Sequence, residues 1–142
     1  MLPGILFTCS GGLELSFASF LEKAPDVQAF AKNYLAVGFK LAYVKSDGDL
    51  SNYTPDFIVR TENGKIWIVE TKGREELDLP QKMARLEQWC EDATSAEENG
   101  QRYDFVFVDQ NGFNQHAPKT FLALTDSFLD YRTESITMVS ED

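Results

Sequence analysis

Two runs of β-forming residues, 57–60 (Phe-Ile-Val-Arg) and 66–71 (Ile-Trp-Ile-Val-Glu-Thr), flank Glu62-Asn63-Gly64-Lys65, and this pairing constrains the chain more than any other stretch of it. Asn-Gly supplies the positive backbone angles of a tight hairpin turn, so the two runs are expected to lie antiparallel and adjacent. Side chains alternate across a strand, which puts Ile66, Ile68, Glu70 and Lys72 on one face and Trp67, Val69 and Thr71 on the other. The first of those faces changes from apolar to charged at its end, next to Gly73. In the partner run Asp56, Ile58 and Arg60 share a face, so the hairpin is expected to bring Asp56 towards Glu70.

Around this hairpin the pattern is mixed. Leu13, Phe17, Phe20, Leu21 and Ala24 recur at helical spacing, predicting a helix over 13–23. After Pro25-Asp26, read as a turn and N-cap, the residues Val27, Phe30, Ala31 and Tyr34 fit the apolar face of a second helix ending near Gly38. Residues 39–45 alternate as a strand and Asp47-Gly48-Asp49 turns the chain. Leu79-Pro80 opens a further helix with a buried stripe of Met83, Leu86, Cys90 and Ala93, closed by Glu97-Glu98-Asn99-Gly100. A strongly apolar strand over 103–108, a Gly/Asn loop, a helix over 118–131 and an edge strand over 135–139 complete the reading. The resulting order, α-α-β-β-β-α-β-α, implies an α/β sandwich around a central mixed sheet. With 142 residues, 43% of them hydrophobic, the chain suits a single domain.

Several functions are disfavoured by composition. Apolar stretches such as 105–108 are too short to cross a bilayer, and no basic residue precedes Lys23 to form a secretory n-region, so a soluble, cytoplasmic protein is expected, away from membranes. Cys9 and Cys90, with the single histidine His116, match neither a zinc spacing nor a disulfide framework, and both are read as reduced thiols. One histidine supports no Ser-His-Asp centre and no histidine-based metal centre. The formal net charge of −10 leaves few cations to neutralise phosphate, so a strong freestanding DNA binder is not expected.

Two converging carboxylates are the usual protein share of a magnesium site, because this hard ion takes oxygen ligands and keeps waters that substrate phosphates displace. Asp56 and Glu70 fit that role, the main-chain carbonyl of Thr71 is a candidate further ligand, and magnesium there would polarise a phosphoryl oxygen and activate water. Lys72 is placed by strand geometry to orient that water or to stabilise charge on the phosphate. Of the eight lysines only Lys72 has an acid two positions earlier, and it follows an apolar strand. Pro-Asp occurs twice, but only Pro55-Asp56 leads into a strand with a hairpin partner.

The run Tyr53-Thr-Pro-Asp-Phe-Ile-Val followed by Ile68-Val-Glu-Thr-Lys-Gly resembles the PD-(D/E)xK nuclease superfamily, with its restriction-endonuclease-like fold. Together with Glu14, Phe17, Phe20, Val27, Lys32-Asn33 and the segment from Lys82 through Trp89, it is similar to the C-terminal endonuclease domain of type III restriction enzyme Res subunits, over residues 12–109 approximately. The resemblance implies a deoxyribonuclease cutting double-stranded DNA, with magnesium (or manganese in its place) on Asp56 and Glu70. It makes Lys72 the catalytic lysine and Glu14 an auxiliary acid. It also implies a helicase motor, in the same or a partner chain, and a modification methyltransferase subunit. No Gly-x-x-x-x-Gly-Lys-Ser/Thr loop occurs in the chain itself, which suits a domain excised from a larger helicase-nuclease or a small freestanding relative.

Plainer readings stand beside these. Glu14 fits a solvent-facing acid early in a helix. Lys82 and Arg85 are candidates for contact with DNA phosphate, as is Arg74, and equally for surface pairing with Asp78 or Glu87. Trp67 and Trp89 are read as packing residues rather than base-stacking platforms. The alternative to a nuclease is a noncatalytic module of the same fold that docks or regulates a helicase.

Overall fold

A computed structural model describes residues 12–33, 39–71, 78–129 and 132. The elements run α1 (Gly12–Lys23), β1 (Val27–Lys32), β2 (Leu41–Val44), β3 (Leu50–Tyr53), β4 (Phe57–Thr61), β5 (Ile66–Thr71), α2 (Leu79–Ala96), β6 (Tyr103–Val108), α3 (Gln110–His116) and α4 (Phe121–Ser127). β1, β4, β5 and β6 form a sheet in that order, and β2 pairs with β3 as a separate hairpin. β1–β4 and β4–β5 are antiparallel and β5–β6 is parallel, so the central sheet is mixed and flanked by helices, as expected.

The β4–β5 hairpin forms in the expected place. Gly64 takes φ +84°, and Asn63 Oδ1 accepts from Thr61 Oγ1 at 2.6 Å and from the Lys65 amide at 3.0 Å, which fixes the turn. The alternation along β5 divides the core. Val69 faces Phe17, Leu21, Phe57, Val106 and Phe121 on the α1/α4 side, while Ile68 faces Met83, Leu86, Phe105 and Phe107 on the α2 side. Trp67 stacks edge-on with Phe121, and Trp89 packs against Phe39 and Tyr103, so both tryptophans are packing residues. Met83, Leu86 and Cys90 form the buried stripe of α2, with Pro80 in its first turn, whereas Ala93 is only half-buried. Burial pushes the Cys90 thiol up to about 12, which makes it an inert core residue.

Over its described part the second helix expected after Pro25-Asp26 is instead β1, paired with β4 from Val27↔Thr61 to Lys32↔Phe57 with a register shift between Val27 and Ala29, while 34–38 lie outside the described residues. Over so short a stretch the positions 27, 30, 31 and 34 fit a helical face no better than a bulged strand, and the free edge of β4 decides the outcome. Asp26 does cap a helix, but a distant one: its carboxylate accepts from the Phe121 and Leu122 amides at 2.7 and 2.9 Å, at the start of α4. β3 was not expected either; it returns from the Asp47-Gly48-Asp49 turn to pair with β2.

The stretch read as a Gly/Asn loop is α3. Asp109 Oδ1 caps it by accepting from the Gly112 amide at 2.7 Å, and a Cβ on Gly112 would stand 2.8 Å from the Phe128 ring, so close packing selects glycine. The last helix starts later than the expected 118: α4 begins at Phe121, after the Thr120 cap, and 130–131 lie outside the described residues. The observed order is therefore α-β-β-β-β-β-α-β-α-α. The edge strand expected over 135–139, Cys9, Lys72 and Arg74 lie outside the described residues. No helix among the described residues is long and apolar enough to cross a membrane.

Candidate metal centre

The register of the hairpin builds the site. Phe57 pairs with Val69, so the next position along the ladder sets Asp56 against Glu70, and the Asp56 amide donates to the Val69 carbonyl at 3.0 Å. Glu70 is fully buried, and its side chain lies close enough to Asp56 to bear on its charge. Thr71 fixes the orientation of Asp56: its amide and its hydroxyl both donate to Oδ2, at 2.9 and 2.8 Å. The two carboxyl groups singled out from the sequence do meet.

Burial works to raise the Asp56 carboxyl, but the neighbouring Glu70 side chain, the two Thr71 donors and the charge on Lys32 outweigh it and hold Asp56 below the ordinary 3.8.

Lys32 enters from β1 and was not among the sequence-derived site residues. Directly opposite Phe57 in the sheet, it lies with Nζ 5.1 Å from the centre of that ring, 3.0 Å from Glu14 Oε1 and 3.5 Å from Asp56 Oδ1. It is 8% exposed. Glu14, in the first turn of α1, is thus an ion-pair partner at the edge of the site rather than a solvent-facing acid. Lys32-Asn33 stood in the sequence among the residues of the resemblance, but within a segment read as helical, which would have turned Lys32 elsewhere.

Asn33 was missed as well, and it positions the aspartate. Its amide donates to the Asp56 carbonyl at 2.8 Å and its side-chain Nδ2 donates to the Pro55 carbonyl at 2.8 Å and the Phe39 carbonyl at 3.0 Å. Truncation leaves the buried Pro55 carbonyl without its side-chain donor. Asn33→Ala is expected to destabilise the fold by about 1–3 kcal/mol in denaturant titrations. It should also weaken manganese binding, because the Pro55-Asp56 backbone loses its tether; unchanged affinity would show that Asp56 is held without it.

Lys82 and Arg85 are not paired on the surface with Asp78 or Glu87 as one reading had it. Lys82 is buried with Nζ 5.2 Å from the Tyr53 ring and 5.7 Å from the Tyr43 ring, and Arg85 Nε donates to the Ala42 carbonyl at 3.0 Å. Both therefore fasten the β2–β3 hairpin to α2. Asp78 accepts from the Ser46 amide and hydroxyl, each at 2.9 Å.

The donor set fits magnesium in its two-carboxylate form. All the donors are oxygens, and this ion is commonly held by one or two carboxylates plus water and substrate. Among the described residues no three of Asp, Glu, His and Cys cluster closely enough to enclose an ion, so Glu14 stands beside the Asp56–Glu70 pair, joined to it through Lys32. Compared with protein-family models, curated proteins and solved structures, the chain matches none of them.

Proposed function

We propose that this chain is a magnesium-dependent nuclease domain of the PD-(D/E)xK kind, with a restriction-endonuclease-like sandwich, that hydrolyses DNA phosphodiester bonds in a system like the type III restriction enzymes. The observation that carries the reading is the meeting of Asp56 and Glu70 at the end of the β4–β5 hairpin, with Asp56 locked by Thr71. Those acids come from the two sequence runs that carry the resemblance, Pro55-Asp56 and Glu70-Thr71-Lys72.

In this reading Asp56 and Glu70 hold the ion, and Glu14 adds negative charge beside them. Magnesium, when bound, supplies Lewis acidity at the scissile phosphate and lowers the pKa of water. Thr71 keeps Asp56 Oδ2 pointed and immobile, so little reorganisation is needed when charge develops. Lys72, two residues after Glu70, is assigned to the attacking water and to the charge on the phosphate. Double-stranded DNA is the substrate proposed, and a helicase motor with a modification subunit is the proposed means of holding it, since a chain of net charge −10 is poorly equipped to grip a duplex alone.

The test is cleavage of duplex DNA with magnesium or manganese by the chain mixed with or fused to its motor, beside Lys72→Ala. Cleavage by the parent that falls about a hundredfold or more in the variant is expected. Equal cleavage by the two removes the proposal, and leaves a noncatalytic docking module as the better account of the fold.

A further inference from the structure

The lysine seated among the acids has a consequence for how the site is loaded. We propose that Lys32 is a built-in counter-ion that a divalent cation must displace from Asp56 before the site fills, so that Lys32 sets the metal concentration at which the domain switches on. This rests on the reading of Asp56 and Glu70 as the metal-holding pair.

Three observations carry it. Lys32 Nζ lies between two carboxylates, 3.0 Å from Glu14 Oε1 and 3.5 Å from Asp56 Oδ1, with side chains 9% exposed for the lysine and 14% for each acid. Asp56 Oδ2 is taken by the amide and hydroxyl of Thr71. An incoming ion therefore approaches Asp56 on the Oδ1 side, the side the ammonium occupies. In a site this sheltered from solvent, two positive charges on one carboxylate oxygen repel strongly, and one must withdraw.

The lysine has the means to do so. Its stem is flexible and its charge is a single point with rotatable donors, unlike the planar fork of an arginine. Glu14 is the second anchor, so an ammonium released from Asp56 stays beside the site instead of leaving it. Without metal the same ion pairs supply counter-charge to two half-buried acids.

Manganese titration by calorimetry and thermal denaturation with and without manganese, on the parent chain, Lys32→Met, Lys32→Arg and Asp56→Asn, separates the cases. Lys32→Met is expected to bind manganese about tenfold more tightly than the parent, to melt lower without metal and to gain more from it. Lys32→Arg, which keeps the charge, is expected to gain no affinity. Parent binding that Asp56→Asn abolishes but Lys32→Met leaves equal or weaker overturns the role of Lys32 while the metal site stands. Binding by neither the parent nor Lys32→Met overturns both. Should Lys32→Met fail to fold, the parent decides: the Lys32 side-chain NMR resonances are expected to shift on saturation with diamagnetic magnesium, and unshifted resonances overturn the proposal.

Discussion

Asp56→Asn is expected to weaken manganese binding at least about a hundredfold and to reduce DNA cleavage by the assembled system at least as much. Loss of a residue that merely orients a metal ligand commonly lowers affinity about 10–100-fold, and loss of a charged ligand itself should do no less. The substitution is close to isosteric, so the fold should survive it: Asn33 grips the backbone at Pro55 and Asp56 rather than the carboxylate, and Thr71 still finds an amide oxygen. A variant that melts near the parent yet no longer binds manganese would separate chemistry from structure. Retained affinity would mean that the ion is held elsewhere.

The same carboxylate sets a pH signature with a definite sign. Asp56 is held below its ordinary value of 3.8, so its contribution to stability is fully present above that value and is lost as the pH falls through the lowered one. Acid denaturation curves of the parent and of Asp56→Asn should therefore run parallel from neutrality down to about pH 4 and converge below it. Curves that converge already near pH 6 would place the titrating group elsewhere.

The acid pair is legible in the sequence because it depends on the most local rules in the chain. Asn63-Gly64 fixes the turn, the turn fixes the register, and the register sets Asp56 against Glu70. The lysine and asparagine that surround the pair were quoted in the resemblance but their place beside it was not legible, since they arrive with β1, whose neighbour is decided by the open edge of β4 rather than by anything within 27–32. Ala29, Ala31 and a proline-aspartate start all favour a helix locally, and tertiary pairing overrides them. α3 was obscured for a related reason. Gly112 looks like a loop residue until Phe128 packs on it, and the Asp109 cap is visible only once β6 ends there.

Phe57→Ala is expected to destabilise the domain by about 3–5 kcal/mol and to lower its melting temperature by about 10 °C or more. Phe57 is fully buried where three elements converge: its ring centre lies 5.3 Å from that of Phe17 on α1 and 6.5 Å from that of Phe30 on β1, and its backbone pairs with Val69 of β5. These neighbours belong to strands and helices that cannot all collapse into the space left, so a cavity should persist, with its loss of dispersion added to the lost transfer energy. Phe57→Leu keeps much of the volume and should cost less than about 1.5 kcal/mol, which makes the pair a test of packing rather than of hydrophobicity alone. The position also ties core to chemistry. Phe57 follows Asp56 and lies under the Lys32 ammonium, so the alanine variant should lose manganese affinity even at temperatures where it remains folded, while a truncation on the far side of the sheet, Leu86→Ala, should lose comparable stability and keep its affinity. If the two variants bind manganese equally well, the ring under Lys32 supports the fold without shaping the site.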